Sequence, residues 1–123
     1  NTTQIDKGGH RHFMLKEMFE QPTVLADCLG HYSAGQHVQI PEGEVDFAQT
    51  DRVILVACGT AYYACMVARY WFEQLAGISV EVDIASEFRY REPPISDRAM
   101  AIFVSQSGET ADTLAALRYC QGK

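Results

Sequence analysis

The sequence predicts an α/β fold: a parallel sheet covered by helices, preceded by a helical pair. Two observations point there. Short apolar runs at Val53–Cys58, Ser79–Ile84 and Ala99–Val104 alternate with amphipathic stretches, the pattern of βαβ units. The first and third runs also end in small polar residues just before a helical periodicity begins, the strand-to-helix turn of such units. A chain of 123 residues, 47% hydrophobic and 21% charged, holds about one domain, which excludes disorder and collagen-like repeats.

Taken in order, residues 1–9 are polar and centred on Asp6-Lys7-Gly8-Gly9, as expected of an interdomain linker. Residues 10–30 form the helical segment. Phe13, Met14, Met18 and Phe19 share one stripe, Pro22 opens a second helix through Val24, Leu25 and Leu29, and Gly30 stops it. Residues 31–51, with Gly35, Pro41 and Gly43, read as loop with a short extended piece at Val38–Ile40. The first strand of the sheet follows. Ala61, Ala64, Cys65, Ala68, Trp71, Phe72 and Leu75 then recur at helical steps, and Gly77 suits a helix C-terminus. Tyr62, Tyr63 and Trp71 are expected to be packing residues rather than a cofactor box. The second strand leads into a short helix at Ala85–Tyr90, ending before Pro93-Pro94. The third leads through Ser105–Thr110 into a helix with Ala111, Leu114, Leu117 and Arg118.

Ten Lys and Arg against sixteen Asp and Glu give a net charge of −6, which disfavours nucleic acid as a partner. No apolar run approaches the roughly 18 residues of a membrane span, and no basic-then-apolar leader opens the chain, so a secreted or membrane protein is not expected. Asn1 at the start and Gly122-Lys123 directly after a helical pattern suggest a piece of something longer. Cys28, Cys58, Cys65 and Cys120 are widely spaced with no CxxC pair, which suggests reduced thiols in a cytoplasmic protein, neither a zinc site nor a disulfide framework. His10 and His12 do not share a helix face and read as surface residues.

The chemistry concentrates in two turns, Cys58-Gly59-Thr60 and Ser105–Thr110. In a parallel sheet both lie at the carboxyl ends of strands, where open α/β folds bind ligands, and both present the free N–H groups of a helix N-terminus. The second offers hydroxyls from Ser105, Ser107 and Thr110, an amide from Gln106 and unhindered backbone at Gly108. Such a turn holds a phosphate with neutral donors and the helix dipole, without Lys or Arg. A P-loop needs a Lys that neither turn has, a dinucleotide fingerprint needs GxGxxG, and a nucleophile elbow on Ser107 needs Gly where Ser105 and Glu109 stand. Ser107 as an ordinary helix N-cap competes evenly with anion binding.

Ser105-Gln106-Ser107-Gly108-Glu109-Thr110-Ala111-Asp112-Thr113-Leu114 resembles the phosphosugar-binding loop of sugar isomerase (SIS) domains. Together with Arg11–Met14 through Glu20-Gln21-Pro22, Ala57–Thr60, Arg69–Glu73 and Ile84–Arg91, nearly the whole chain resembles the glutamine–fructose-6-phosphate aminotransferase family. The resemblance implies that residues 52–123 are the first half of the first of two SIS domains, a three-layer parallel-sheet fold left incomplete. It implies an enzyme making glucosamine 6-phosphate from fructose 6-phosphate and glutamine; no cofactor and no metal is expected. Its missing parts are a glutaminase domain with a cysteine nucleophile and a second SIS domain, and the full-length protein is a homodimer.

By the same resemblance Ser105, Gln106, Ser107 and Thr110 hold the sugar phosphate and Thr60 lies against the sugar. Many members carry Ser where this chain has Ala61, so that hydroxyl contact is absent. The family's general-base Glu, ring-opening His and Schiff-base Lys have no counterpart here, so the resemblance implies no catalytic residue in this chain and no activity of the chain alone. Two readings from the same superfamily stay open: a non-catalytic phosphosugar-sensing module, and a deglycase acting on glycated amino-acid phosphates. A sensor would bring a DNA-binding segment, and none is evident.

Overall fold

The structure, a computed structural model, describes residues 6–39 and 46–122. They belong to two compact units divided after Val45.

In the first unit the expected helical pair is a single helix, α1 (Phe13–Tyr32), running through Pro22. A proline inside a helix costs about 3 kcal/mol through its missing N–H and its clash with the carbonyl four residues back. Here strong helix formers flank it on both sides, from Met14 to Gln21 and again at Leu25-Ala26, and Lys16 and Glu20 pair at 3.5 Å one turn apart. Gly30 does not end the helix, because it keeps a negative φ. Ser33 ends it, adopting extended backbone while its N–H and its hydroxyl both donate to the Leu29 carbonyl. Lys16 is buried, its ammonium donating to the Asp6 carbonyl, and His10 stacks on Phe19 at 5.4 Å. Within the expected loop, β1 (Ser33–Ala34) and β2 (His37–Val38) form an antiparallel hairpin. Its two-residue turn is possible because Gly35 takes φ +64°, the Gly-first hairpin turn. The extended piece therefore starts at His37, and Ile40 lies outside the described residues.

In the second unit three strands, β3 (Arg52–Ala57), β4 (Ser79–Ile84) and β5 (Ala99–Val104), form a parallel sheet in the order β4-β3-β5. Ala57 pairs with Ile84 on one side and with Val104 on the other, so the three strands end level. Every β3 residue from Val53 to Ala57 is buried, as a strand covered on both faces must be. Side chains alternate between the faces. Val53, Leu55 and Ala57 pack with Val80 under α2 (Thr60–Trp71), whose inner face is Ala61, Cys65 and Ala68, with Phe72 just beyond its end. Ile54 and Val56 pack on the other face with Ala85 and Phe88 of α3 (Ala85–Arg91) and Ala116 of α4 (Ala111–Gln121). The result is three layers, helix on sheet on helices.

α2 continues at Phe72–Ala76 in wider π-type turns and stops at Gly77, which takes φ 62° and ψ 28°. One expectation fails on this helix. Tyr62 packs against the core, but Tyr63 and Trp71 are exposed, and so is Leu75. The core is satisfied by the small residues of the inner stripe, which lets α2 lie close to the sheet and leaves its large aromatics outside.

Candidate functional site

The strand order decides where the site lies. From β3 the chain moves one way, through α2, to β4, and then back through α3 on the opposite face to β5. The crevice between the carboxyl ends of β3 and β5 is therefore the topological switch point, where open α/β sheets take their ligands. Both sequence-predicted turns open into it. The Ala57–Val104 pairing makes Cys58 and Ser105 the next residues along two hydrogen-bonded strands.

On the β3 side the turn is abrupt. Gly59 takes φ 60° and ψ −136°, close to the region reserved for glycine, and Thr60 is already the first residue of α2. A Cβ at Gly59 would meet nothing within 4 Å, so the requirement for glycine is purely torsional. This residue was missed as a site residue from sequence, although the strand-Gly-helix juxtaposition is its signal. Thr60 is exposed, and its hydroxyl has no protein partner among the described residues.

On the β5 side the hydroxyls organise the loop. Ser105 Oγ and Thr110 Oγ1 lie 3.1 Å apart across the base of the loop, and Ser105 Oγ accepts from the Gly108 N–H at 3.1 Å. Ser107 Oγ accepts from the Glu109 N–H at 3.1 Å, and Gly108 takes φ +68° at the tip. Two hydroxyls that share one hydrogen bond retain one O–H to donate elsewhere, whichever way the bond runs. The proposal that Ser107 is the helix N-cap does not hold. The N-cap is Thr110, and neither side chain caps the helix, so the first N–H groups of α4 are open. Gln106 and Ser107 are exposed at the mouth, while Ser105 and Thr110 are half-buried beneath them. The arrangement gathers hydroxyl and backbone donors at a helix N-terminus with no cationic side chain, which suits one compact anion. Arg89 of α3 bonds Asp112 at 3.1 Å and ties the first turn of α4 to its neighbour.

Burial pushes the Cys65 and Cys120 thiols up, the opposite of what activates a cysteine. All four cysteines are free, and the described residues contain no group of three or more His, Cys, Asp or Glu able to hold a metal. No described helix is long and apolar enough to cross a membrane.

The sequence profile of the SIS domain matches residues 46–123, the whole of the second unit. The chain belongs to the SIS domain family. Among curated relatives of this SIS chain, the glutamine–fructose-6-phosphate aminotransferase (isomerizing) of Bartonella quintana is 57% identical over 122 residues, 98% of this chain. That of Rhizobium leguminosarum is 55% identical over 119 residues. The chain spans only 20% of the length of either relative. Among solved structures, the C-terminal domain of glucosamine-fructose-6-phosphate aminotransferase from Francisella tularensis superimposes with a TM-score of 0.84 at 39% identity, covering 96% of this chain and 34% of that one. Glucosamine-6-phosphate deaminase from Thermotoga maritima gives 0.56 at 28% identity over 59% of this chain and 23% of its own. The SIS match accounts for the three-layer parallel sheet and for the strand-to-helix turns that frame the crevice.

Proposed function

We propose that this chain is the phosphosugar-binding half-site of a larger enzyme that converts fructose 6-phosphate and glutamine to glucosamine 6-phosphate and glutamate. The observation that carries the reading is the Ser105–Thr110 loop. It offers convergent hydroxyls with one O–H to spare, next to an open helix N-terminus at the switch point. Ser105, Ser107 and Thr110 bind the phosphate of fructose 6-phosphate or glucosamine 6-phosphate, Gln106 closes over it, and Thr60 contacts the sugar from the β3 side. On binding, phosphate oxygens take over the Gly108 and Glu109 N–H groups that the serine hydroxyls now hold. Those hydroxyls then turn to donate to the anion.

The names of the relatives support this substrate, and their length supports further domains beyond this chain; by the family resemblance these are a glutaminase domain and a second SIS domain, in a cytoplasmic homodimer. Neither nucleic acid nor membrane takes part. The chain alone turns over no substrate, since no residue in it matches the family's base, ring-opening acid or Schiff-base lysine.

The test is a titration of fructose 6-phosphate into the full-length enzyme carrying Ser107→Ala and Thr110→Ala. Hydrogen bonds to a charged group contribute about 1.5 to 3 kcal/mol, so each substitution weakens binding roughly 10- to 100-fold. Unchanged affinity with unchanged stability would sink the assignment. Lost stability with unchanged affinity would make the loop a structural turn only.

A further inference from the structure

The hydroxyls of the Ser105–Thr110 loop continue inward, past the pair that organises it. Ser107 is exposed at the mouth, Ser105 and Thr110 are half-buried beneath it, and Thr113, in the first turn of α4, keeps only 4% of its surface in solvent. Thr113 Oγ1 is buried and has no hydrogen-bond partner among the described residues. The usual acceptor for a threonine in a helix is the carbonyl four residues back, which here belongs to Glu109. Glu109 precedes the Thr110 cap and lies outside the helix, and no such bond forms. A valine would fill the same space without burying an unmatched hydroxyl, which costs free energy.

Helix geometry directs this hydroxyl at the loop. The Cα–Cβ bonds of a helix tilt toward its N-terminus, so the Thr113 side chain leans toward the Ser105–Thr110 turn. Thr110 and Thr113 are also the N-cap and the third helical residue, two positions whose side chains meet across a first turn. The first helical bond runs from the Leu114 N–H to the Thr110 carbonyl at 3.0 Å, so the Thr113 N–H stands among the open donors as well.

Building on the phosphate reading of the Ser105–Thr110 loop, on which this role rests, we propose that Thr113 is a further positioning residue of that site. When a bound anion draws the Thr110 hydroxyl toward itself, the Thr113 hydroxyl donates to Thr110 Oγ1 from below and holds it in that orientation. In the structure, Thr110 Oγ1 faces Ser105 Oγ at 3.1 Å, and the two share one hydrogen bond. A hydroxyl has one proton to give and two lone pairs to receive with. Once Ser105 and Thr110 both donate to phosphate, the shared bond is gone and Thr110 Oγ1 has a lone pair open. Thr113 fills it, and hydrogen bonds in such a chain polarise and strengthen one another. The hydroxyl that is unmatched in the free protein finds its partner in the bound one, which draws the loop toward the bound form.

Calorimetric titration of fructose 6-phosphate into the full-length enzyme, with thermal melts of the same proteins free of ligand, tests this. Thr113→Val weakens binding roughly 2- to 10-fold, the contribution of one neutral hydrogen bond, and raises the ligand-free melting temperature because the unmatched hydroxyl is gone. Thr113→Ser keeps the hydroxyl and keeps the affinity. In a Thr110→Ala background, Thr113→Val costs no further affinity, since its acceptor is already removed. Wild-type affinity in Thr113→Val overturns the proposal, and so does a Thr113→Ser variant as weak as Thr113→Val, which would make the residue a packing contact. A lower ligand-free melting temperature in Thr113→Val, or affinity losses that add in the double variant, overturns it as well. Ser107→Ala separates the two readings. If it weakens binding while Thr113→Val does not, only the role of Thr113 falls; if neither weakens binding, the phosphate reading falls and the role of Thr113 with it.

Discussion

Gly59 and Gly77 stand at opposite ends of α2, both with φ near 60° and both with open space where a Cβ would go. They differ in ψ, −136° against 28°, and the difference predicts two outcomes for the same substitution. At Gly77 the backbone is left-handed helical, which alanine tolerates at a cost of roughly 1 kcal/mol. At Gly59 it is close to a glycine-only region, where a side chain costs about 1 to 3 kcal/mol. No neighbour has to move in either case, so the torsional term is the whole cost. For a unit of this size each kcal/mol shifts the midpoint by about 4 to 8 °C, so Gly59→Ala lowers Tm by roughly 4 to 24 °C and Gly77→Ala by about 4 to 8 °C. Gly59→Ala also reorients Thr60 and the first N–H groups of α2, so it weakens fructose 6-phosphate binding while Gly77→Ala does not. Thermal melts of both variants, with ligand titrations of the full-length protein, check this. Equal losses of Tm, or an affinity loss at Gly77, would refute the torsional argument.

Further expectations follow from the core and from its charged edge. Phe88 is fully buried between Phe103 and Tyr119, so Phe88→Ala costs about 3 to 5 kcal/mol by chemical denaturation while α3 keeps its Arg89 contact to Asp112. Alkylation at neutral pH labels exposed Cys28 first. Cys65 and Cys120 lag because burial raises their pKa, and their rates climb only as pH rises toward those raised values. Burial raises the Asp83 pKa and the neighbouring Arg91 opposes it, so Arg91→Ala raises it further, readable by carboxylate NMR. A carboxyl raised in the folded state stabilises most below its unfolded pKa. That contribution disappears as pH climbs through the folded value, and Asp83→Asn removes this pH dependence from the denaturation profile.

The sheet was legible in the sequence because its strands are buried on both faces and read as unbroken apolar runs. Ser79–Ile84 and Ala99–Val104 match the predicted bounds, and the central strand is displaced by a single residue, to Arg52–Ala57. The displacement has a cause that no apolar run reveals: Arg52 is held by pairing with Ser79 and Ala99. Pro22 was misleading because a proline breaks a helix only when its neighbours are content elsewhere, and α1 is rich in helix formers. The Gly35 hairpin is carried by two residues in each strand, too few for any alternation to register. In the loop, the presence of Ser105, Ser107 and Thr110 was readable, but the hydroxyl pair that moves the cap from Ser107 to Thr110 is a contact between residues five apart. Tyr63 and Trp71 followed helical spacing, and spacing alone does not say which of two stripes faces inward.

The neighbouring positions of β3 and β5 set a dimension as well as a location. Because the two strands are hydrogen-bonded along their whole length, the gap between the roots of the two loops is the inter-strand spacing, about 4.8 Å. That width is a ruler made of backbone, graduated by peptide hydrogen bonds and indifferent to which aliphatic side chains fill the layers above and below. Exchanges within the core, such as Val for Ile on β3, can therefore alter stability while the span offered to a ligand stays constant.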